Sequence, residues 1–194
     1  MAQGISQEGH SDMKIMLIVE GQSDSIIFNK QAQWFKSRGI DFQVILANGK
    51  SEMIKKARKL YKTSIYSGAQ YVIFLPDQDS DTCGLVTRER IDVDSLPNAV
   101  TIALKRALEA WILADRDCIN SIIDLKYRTS GQTDFIQNPK ERLLNMMERK
   151  YGYRPTAVEA ALKVAPFFSL DRASKTNTST KRFKQFIEGR LVPN

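Results

Sequence analysis

The sequence contains a single histidine, His10, in 194 residues. His10 lies in the polar segment 1–12, MAQGISQEGHSD, which we expect to form a disordered tail. A Ser-His-Asp triad, a Cys-His pair and a histidine-rich zinc site each need a histidine within the folded domain. The sequence therefore argues against these chemistries, and carboxylate oxygens are the reactive groups that remain.

Cysteine is also scarce, and long apolar runs are missing. Cys83 and Cys118 lie far apart and form no CxxC pattern, which predicts two reduced thiols and no zinc site. No segment has the roughly 18 consecutive apolar residues of a membrane span, and the first residues lack the basic-then-apolar arrangement of a signal peptide. We therefore expect a cytoplasmic protein without a membrane partner.

Positive charge is concentrated in the last third of the chain, within a net charge of +7. Residues 1–125 carry 15 Lys and Arg against 16 Asp and Glu, whereas residues 126–194 carry 14 against 6. Lys and Arg gain affinity for polyanions by releasing counterions from phosphates, so this asymmetry favours a nucleic-acid partner. A basic surface that contacts only solvent is the alternative.

The basic segment contains specific candidates for contacts with the nucleic-acid backbone. They are Lys175, Lys181 and Arg182, with Lys50 as a further candidate outside the segment. The run SKTNTSTKR, residues 174–182, is predicted to supply additional hydrogen-bond donors to phosphate.

Short apolar runs rich in β-branched residues alternate with segments of helical periodicity. The predicted strands are 14–19, 41–46, 70–75 and Ala99–Leu104. Such alternation predicts an α/β fold, a Rossmann-like three-layer arrangement with a mainly parallel sheet of about four strands. We predict this domain over residues 13–125 and a basic helical extension, residues 126–194, packed on the same domain.

Acidic residues follow two of these strands. The first strand is followed by Glu20 and Asp24 in VEGQSD, and the third by Asp77, Asp79 and Asp81 in PDQDSD. If the two strands are neighbours, the carboxylates meet at one edge of the sheet. Like charges that lie so close raise one another's pKa unless a cation is bound, and Mg²⁺ and Mn²⁺ prefer such oxygen ligands. The alternate spacing further predicts an extended chain that directs all three aspartates to one side.

Two known loop motifs partly match these segments but need other residues at fixed positions. An EF-hand loop that started at Asp77 would need glycine where Thr82 stands and glutamate where Arg88 stands. A phosphate-binding loop around NGKS, residues 48–51, would need glycine at Val44. Both patterns fail. A solvated turn with helix-capping aspartates stays open as the structural alternative for DQDSD.

The order of these motifs resembles the Toprim domain, which topoisomerases, bacterial primases and OLD-family nucleases share. The matching segments are IVEGQSD at 18–24 and FLPDQDSD at 74–81, within residues 14–105. ALEAWILAD at 107–115 and the C-terminal part with RFKQF are similar to a family of small stand-alone Toprim-like proteins of uncharacterised function. Pro76 departs from the family pattern, in which an apolar residue precedes the first aspartate.

The resemblance implies roles for individual residues. Glu20 matches the general acid/base and a metal ligand, and Asp77 and Asp79 match the metal-binding pair. Asp81 is a third candidate ligand, whereas Asp24 and Glu109 are additional acids that either support the metal or have structural roles.

A Mg²⁺- or Mn²⁺-dependent phosphodiesterase, a nuclease, is the activity that the resemblance implies. Its substrate is a nucleic acid, more readily DNA than RNA, in a defence or repair system with an ATPase as a candidate partner. The alternatives are a non-catalytic Toprim-like adaptor that binds nucleic acid or protein, and a DxD-type phosphatase that uses Asp77 and Asp79.

Overall fold

The fold is built on a parallel sheet, and the α/β prediction is confirmed. The computed structural model describes residues 13–93, 95–123, 126–128 and 132–192, so the predicted tail 1–12 lies outside the described residues. The strands are β1 (Met13–Val19), β2 (Ile40–Leu46), β3 (Tyr71–Leu75) and β4 (Ala99–Thr101). They lie in the order β2-β1-β3-β4, and every pair is parallel.

Helices connect the strands and continue to the C-terminal end. They are α1 (Gln22–Asn29), α2 (Ala32–Lys36), α3 (Lys50–Tyr66), α4 (Gly84–Ile91), α5 (Leu108–Ala114), α6 (Arg116–Ile123), α7 (Pro139–Tyr151), α8 (Ala157–Val164), α9 (Leu170–Ala173) and α10 (Thr178–Phe186), with a 3₁₀ turn at Thr133–Phe135 and a π-helical turn at Ile187–Leu191. None of the helices formed by the described residues is long and apolar enough to cross a membrane.

Both faces of the sheet are covered, because successive side chains of a strand point to opposite faces. On β1, Ile15 and Leu17 belong to the larger apolar core, whereas Met16 and Ile18 belong to a smaller one on the other face. All four side chains are at most 1% exposed. The continuous apolar run of β1 therefore reflects a central strand between two layers of helices.

The C-terminal helices contribute to the larger core. Phe183 of α10 lies with its ring centroid 5.5 Å from that of Trp111 in α5 and 5.9 Å from that of Phe28 in α1. All three side chains are fully buried. Such aromatic contacts add to the burial of apolar area, so α10 fixes α5 against the sheet.

Candidate metal centre

The ends of β1 and β3 bring two predicted site residues into contact. Glu20 follows β1 directly, and its Oε1 atom accepts a 2.9 Å hydrogen bond from the main-chain N–H of Asp77. The Oδ1 atom of Asp77 accepts a 3.2 Å hydrogen bond from the main-chain N–H of Leu108, at the start of α5. β1 and β3 are neighbours, so the condition under which the sequence predicted that these acids meet is fulfilled, and their ends join α5 at one edge.

Three further acids lie around the same cleft. Asp24 is 8% exposed, and its Oδ2 atom accepts a 2.9 Å hydrogen bond from the main-chain N–H of Gly21, which caps α1. Glu109 lies in the first turn of α5. Glu20, Asp24, Asp77, Asp79 and Glu109 all line one open cleft of about 550 Å³.

Burial and mutual repulsion raise the pKa values of Glu20, Asp24, Asp77 and Glu109. Burial raises the pKa of Glu20 to about 7, with the charges of Asp79 and Asp24 adding to it and the N–H of Asp77 acting in the opposite direction. Burial raises the pKa of Asp77 well above its usual range, and the neighbouring acids add to this effect. The pKa values of Asp24 and Glu109 are also raised, chiefly by burial. The cleft thus holds more carboxylates than its surroundings neutralise.

The segment after β3 turns, and the predicted extended chain is wrong. Asp79 has a left-handed backbone with φ of 50°, and the N–H of Asp81 donates a 3.0 Å hydrogen bond to the carbonyl of Gln78. The turn is fixed because the N–H groups of Gln78 and Asp79 donate to the carbonyls of Leu104 and Arg106. As a result Asp77 and Asp79 line the cleft while Asp81 does not.

Asp81 forms a compact ion-pair cluster beside the cleft. Its carboxylate oxygens lie 2.8 Å from the Lys50 ammonium and 2.9 Å from the Arg90 guanidinium, and they accept a 2.7 Å hydrogen bond from Thr87. The hydrogen bond from Lys50 is the main cause that lowers the pKa of Asp81 to about 2. The charge of Asp81 is therefore compensated without a metal ion.

Lys50 lies at the edge of the cleft and has protein partners. Its ammonium donates a 3.0 Å hydrogen bond to the carbonyl of Gln78 and lies 3.6 Å from an oxygen of Asp79, in addition to its contact with Asp81. Lys50 thus links the turn after β3 to the start of α3, and a phosphate would have to compete with these contacts.

The other predicted phosphate contacts lie away from the carboxylates. Lys175 and Lys181 line a separate cavity of about 450 Å³ at the start of α10. Arg182 lines another, of about 430 Å³, with Cys83 and Phe186. None of the three lines the carboxylate cleft.

Three residues of the polar run 174–182 are interior residues, so the prediction that they donate to phosphate is wrong. Asn177, Ser179 and Thr180 are at most 4% exposed. Ser179 accepts a 2.7 Å hydrogen bond from Trp111 Nε1 and donates to Asn177, whose side-chain oxygen also accepts the N–H of Thr180. These groups satisfy one another because buried polar atoms need partners.

Sequence reasoning missed the polar and cationic residues of the cleft. Asn48, Arg106 and Lys140 line it. Asn48, Asp79 and Arg106 follow β2, β3 and β4 and share left-handed backbones, with φ of 63°, 50° and 70°. Residues other than glycine rarely adopt this conformation, and those that do are often found at functional sites. No sequence signal identified Arg106, whereas the Asn-Pro start of α7 marked a helix terminus near Lys140.

The donor chemistry of the cleft fits a divalent cation. Carboxylates are hard oxygen ligands, and a bound Mg²⁺ or Mn²⁺ would offset the repulsion that raises their pKa values. Within the described ranges, however, no group of three or more His, Cys, Asp or Glu side chains is arranged so that it could hold a metal ion as it stands.

Comparisons with protein-family models, curated proteins and solved structures found no match. A function for this chain has to be argued from its own residues, and the carboxylate cleft is the feature with the most specific chemistry.

Proposed function

We propose that the protein is a metal-dependent phosphodiesterase that cleaves nucleic acid. The observation that supports this proposal is the convergence of Glu20, Asp77 and Asp79 at adjacent strand ends, in a cleft where the pKa values of Glu20 and Asp77 are raised. Carboxyl groups with shifted pKa values in a cleft are typical of catalytic sites. Their crowding is unfavourable in the free protein and is relieved when the functional cation binds.

The residues of the chain have distinct tasks in this proposal. Asp77 and Asp79 would hold Mg²⁺ or Mn²⁺, and Asp24 and Glu109 are further carboxylates that line the cleft. Glu20 is the general acid or base of this proposal, and its pKa is raised to about 7 in the protein without a metal ion. The hydrogen bond from Asp77 orients the Glu20 carboxylate. A bound ion would supply charge neutralisation at the phosphate and activation of water.

The resemblance to the Toprim domain supports the same roles for Glu20, Asp77 and Asp79. Asp81 is assigned here to the stability of the turn, because Lys50, Arg90 and Thr87 already satisfy its oxygens. DNA as the preferred substrate, an ATPase partner and a cytoplasmic location belong to the proposal as predictions.

Cleavage of supercoiled plasmid, single-stranded DNA and single-stranded RNA tests the proposal. The wild-type protein is compared with Asp77→Asn and with a control, Asp41→Asn, which changes an exposed acid on β2. We expect cleavage that needs Mg²⁺ or Mn²⁺, stops with EDTA and falls about 100-fold or more in Asp77→Asn alone. Unchanged cleavage by Asp77→Asn would refute the proposal. Binding of nucleic acid without any cleavage would favour the adaptor instead.

A further inference from the structure

Among the described residues, two cationic residues of the carboxylate cleft form no salt bridge. Arg106 and Lys140 both line the cleft. The Nε atom of Arg106 is buried and has no hydrogen-bond partner among the described residues. A buried guanidinium N–H without a partner is unusual, because buried polar groups in folded proteins are normally satisfied.

Arg106 is held firmly in this place by its main chain. Its carbonyl accepts a 2.9 Å hydrogen bond from the N–H of Asp79, and both residues have left-handed backbones. The loops after β3 and β4 therefore fix one another, and Arg106 and Asp79 both line the same cleft. Arg106 is therefore a direct neighbour of Asp79, one of the proposed metal ligands.

Lys140 approaches from the C-terminal part of the chain. It lies in the first turn of α7, which begins at Pro139. Burial raises the pKa values of Asp24 and Glu109, and the charge of Lys140 offsets part of this effect. The start of a helix carries partial positive charge, which adds to the attraction for an anion. Glu141 in the same turn does not cancel this charge, because it is paired with Arg154.

We propose that Arg106 and Lys140 bind a phosphate group of the substrate next to the carboxylates. This inference rests on the proposed function and names its substrate-holding residues. A guanidinium matches two phosphate oxygens at once, and an ammonium supplies a point charge. The carboxylates with a bound cation and the two protein cations would then contact adjacent oxygens of one nucleic-acid backbone. The contacts carry no base information, so binding is independent of sequence.

Equilibrium binding of a fluorescein-labelled DNA single strand, and of the same strand as a duplex, tests the site. The full chain is titrated by fluorescence anisotropy in Ca²⁺, with cleavage monitored separately in Mg²⁺. Arg106→Gln is compared with Arg149→Gln, which changes an exposed arginine in the last turn of α7. Lys140→Ala is compared with Lys62→Ala, an exposed lysine of α3. Each pair has the same net charge.

We expect Arg106→Gln and Lys140→Ala each to weaken binding about 10-fold relative to its control. The slope of log affinity against log salt should become shallower by about one in each variant. Arg106→Lys keeps the positive charge but loses the planar guanidinium that can bind two phosphate oxygens, so it should restore only part of the affinity. Lys140 is exposed, so its variant tests the site even if changes at Arg106 impair folding.

The outcomes separate this inference from the proposed function. If both variants bind and cleave like their controls, the phosphate site is wrong while the nuclease proposal stands. If binding depends on Arg106 and Lys140 but wild-type protein does not cleave with Mg²⁺ or Mn²⁺, the site stands and the nuclease proposal fails. Absence of binding to either probe by the wild-type protein would overturn the phosphate site, and absence of DNA and RNA cleavage as well would overturn the nuclease proposal.

Discussion

Asp77 donates its main-chain N–H to the Oε1 atom of Glu20 at 2.9 Å, across 57 residues of sequence. This hydrogen bond joins the ends of two neighbouring parallel strands and stabilises the ionised form of Glu20. Burial has the larger and opposite effect, so the pKa of Glu20 is raised to about 7. Glu20 therefore titrates in the pH range in which most enzymes work.

Replacement of Glu20 by glutamine should stabilise the metal-free protein at high pH. The folded-state pKa of about 7 exceeds the ordinary value of 4.5. Between pH 4.5 and 7 the Glu20 carboxyl group ionises in the unfolded chain before it ionises in the folded protein, so rising pH favours unfolding. The contribution of Glu20 to the free energy of unfolding is therefore fully present below pH 4.5 and is lost as pH rises through 7. In EDTA at pH 8 we expect Glu20→Gln to raise the free energy of unfolding by about 1 kcal/mol after allowance for solvent screening.

Urea unfolding at pH 4.5 and at pH 8 measures this effect. Glu89→Gln, which changes an exposed glutamate of α4, is the control and should show no such pH dependence. A Glu20→Gln protein that is equally stabilised at both pH values, or destabilised at pH 8, would contradict the burial of an ionised Glu20.

Metal binding should strengthen with pH. Carboxylates must lose their protons before they bind a cation, and the pKa values of Glu20 and Asp77 are raised. We expect Mg²⁺ to increase the melting temperature of the wild-type protein more at pH 8 than at pH 6 by mass action. The increase should disappear in Asp77→Asn and persist in Asp41→Asn. Equal increases in both variants would place the metal elsewhere.

Asp81→Asn should weaken the fold and spare cleavage. The lowered pKa of Asp81, about 2, means that its charge stabilises the protein above pH 3.8 and that this contribution is lost as pH falls toward 2. Loss of the charge at pH 7 leaves Lys50 and Arg90 with weaker partners, at a cost on the order of 1 kcal/mol in urea unfolding. Activity within a few-fold of wild type would separate Asp81 from Asp77 and Asp79. A loss as deep as that of Asp77→Asn would make Asp81 a functional residue.

The strands and the acidic edge were predictable, because their signals are local. Apolar β-branched runs gave β1 and β3 to within one residue, and Glu20 and Asp77 come together because parallel strands end at the same edge. The predicted fourth strand was too long. In the structure β4 extends only over Ala99–Thr101, and beyond it an isolated parallel bridge pairs Asp77 with Leu104.

The turn after β3 and the cationic side of the cleft were not predictable in the same way. Alternation of aspartates suggested an extended chain, yet tertiary hydrogen bonds to the loop after β4 impose a left-handed residue at Asp79. Lys140 reaches the cleft through the placement of α7, which depends on packing between distant segments. The polar composition of residues 174–182 resembles a surface loop and conceals the buried Asn177 and Ser179.

Ser179→Ala should destabilise the protein without a change in nucleic-acid binding. The Ser179 hydroxyl accepts the hydrogen bond of Trp111 Nε1 at 2.7 Å, and both residues are buried. Its loss leaves the indole N–H without an acceptor, which should cost about 1–3 kcal/mol in urea unfolding. Ser51→Ala, an exposed position on α3, is the control. Weaker nucleic-acid binding by the folded Ser179→Ala protein would instead assign this hydroxyl to phosphate contact.

Replacement of Asp79 separates its chemical role from its conformational cost. The residue has φ of 50°, a conformation in which glycine avoids the steric conflict of a Cβ atom. Asp79→Gly should therefore raise the free energy of unfolding by up to about 1 kcal/mol, the relief of backbone strain exceeding the added entropy of the unfolded chain. Asp79→Asn keeps the Cβ atom and should leave that strain in place.

Both replacements remove the carboxylate, so both should lower Mg²⁺-dependent cleavage to a similar extent. Thermal unfolding in EDTA and cleavage in Mg²⁺ are measured on the same preparations of Asp79→Gly, Asp79→Asn and wild type. A more stable and less active Asp79→Gly would show that the chain keeps a strained aspartate for its chemistry. If Asp79→Gly is instead less stable than wild type, the side-chain contact with Lys50 outweighs the backbone strain, and Asp79 is retained for structure.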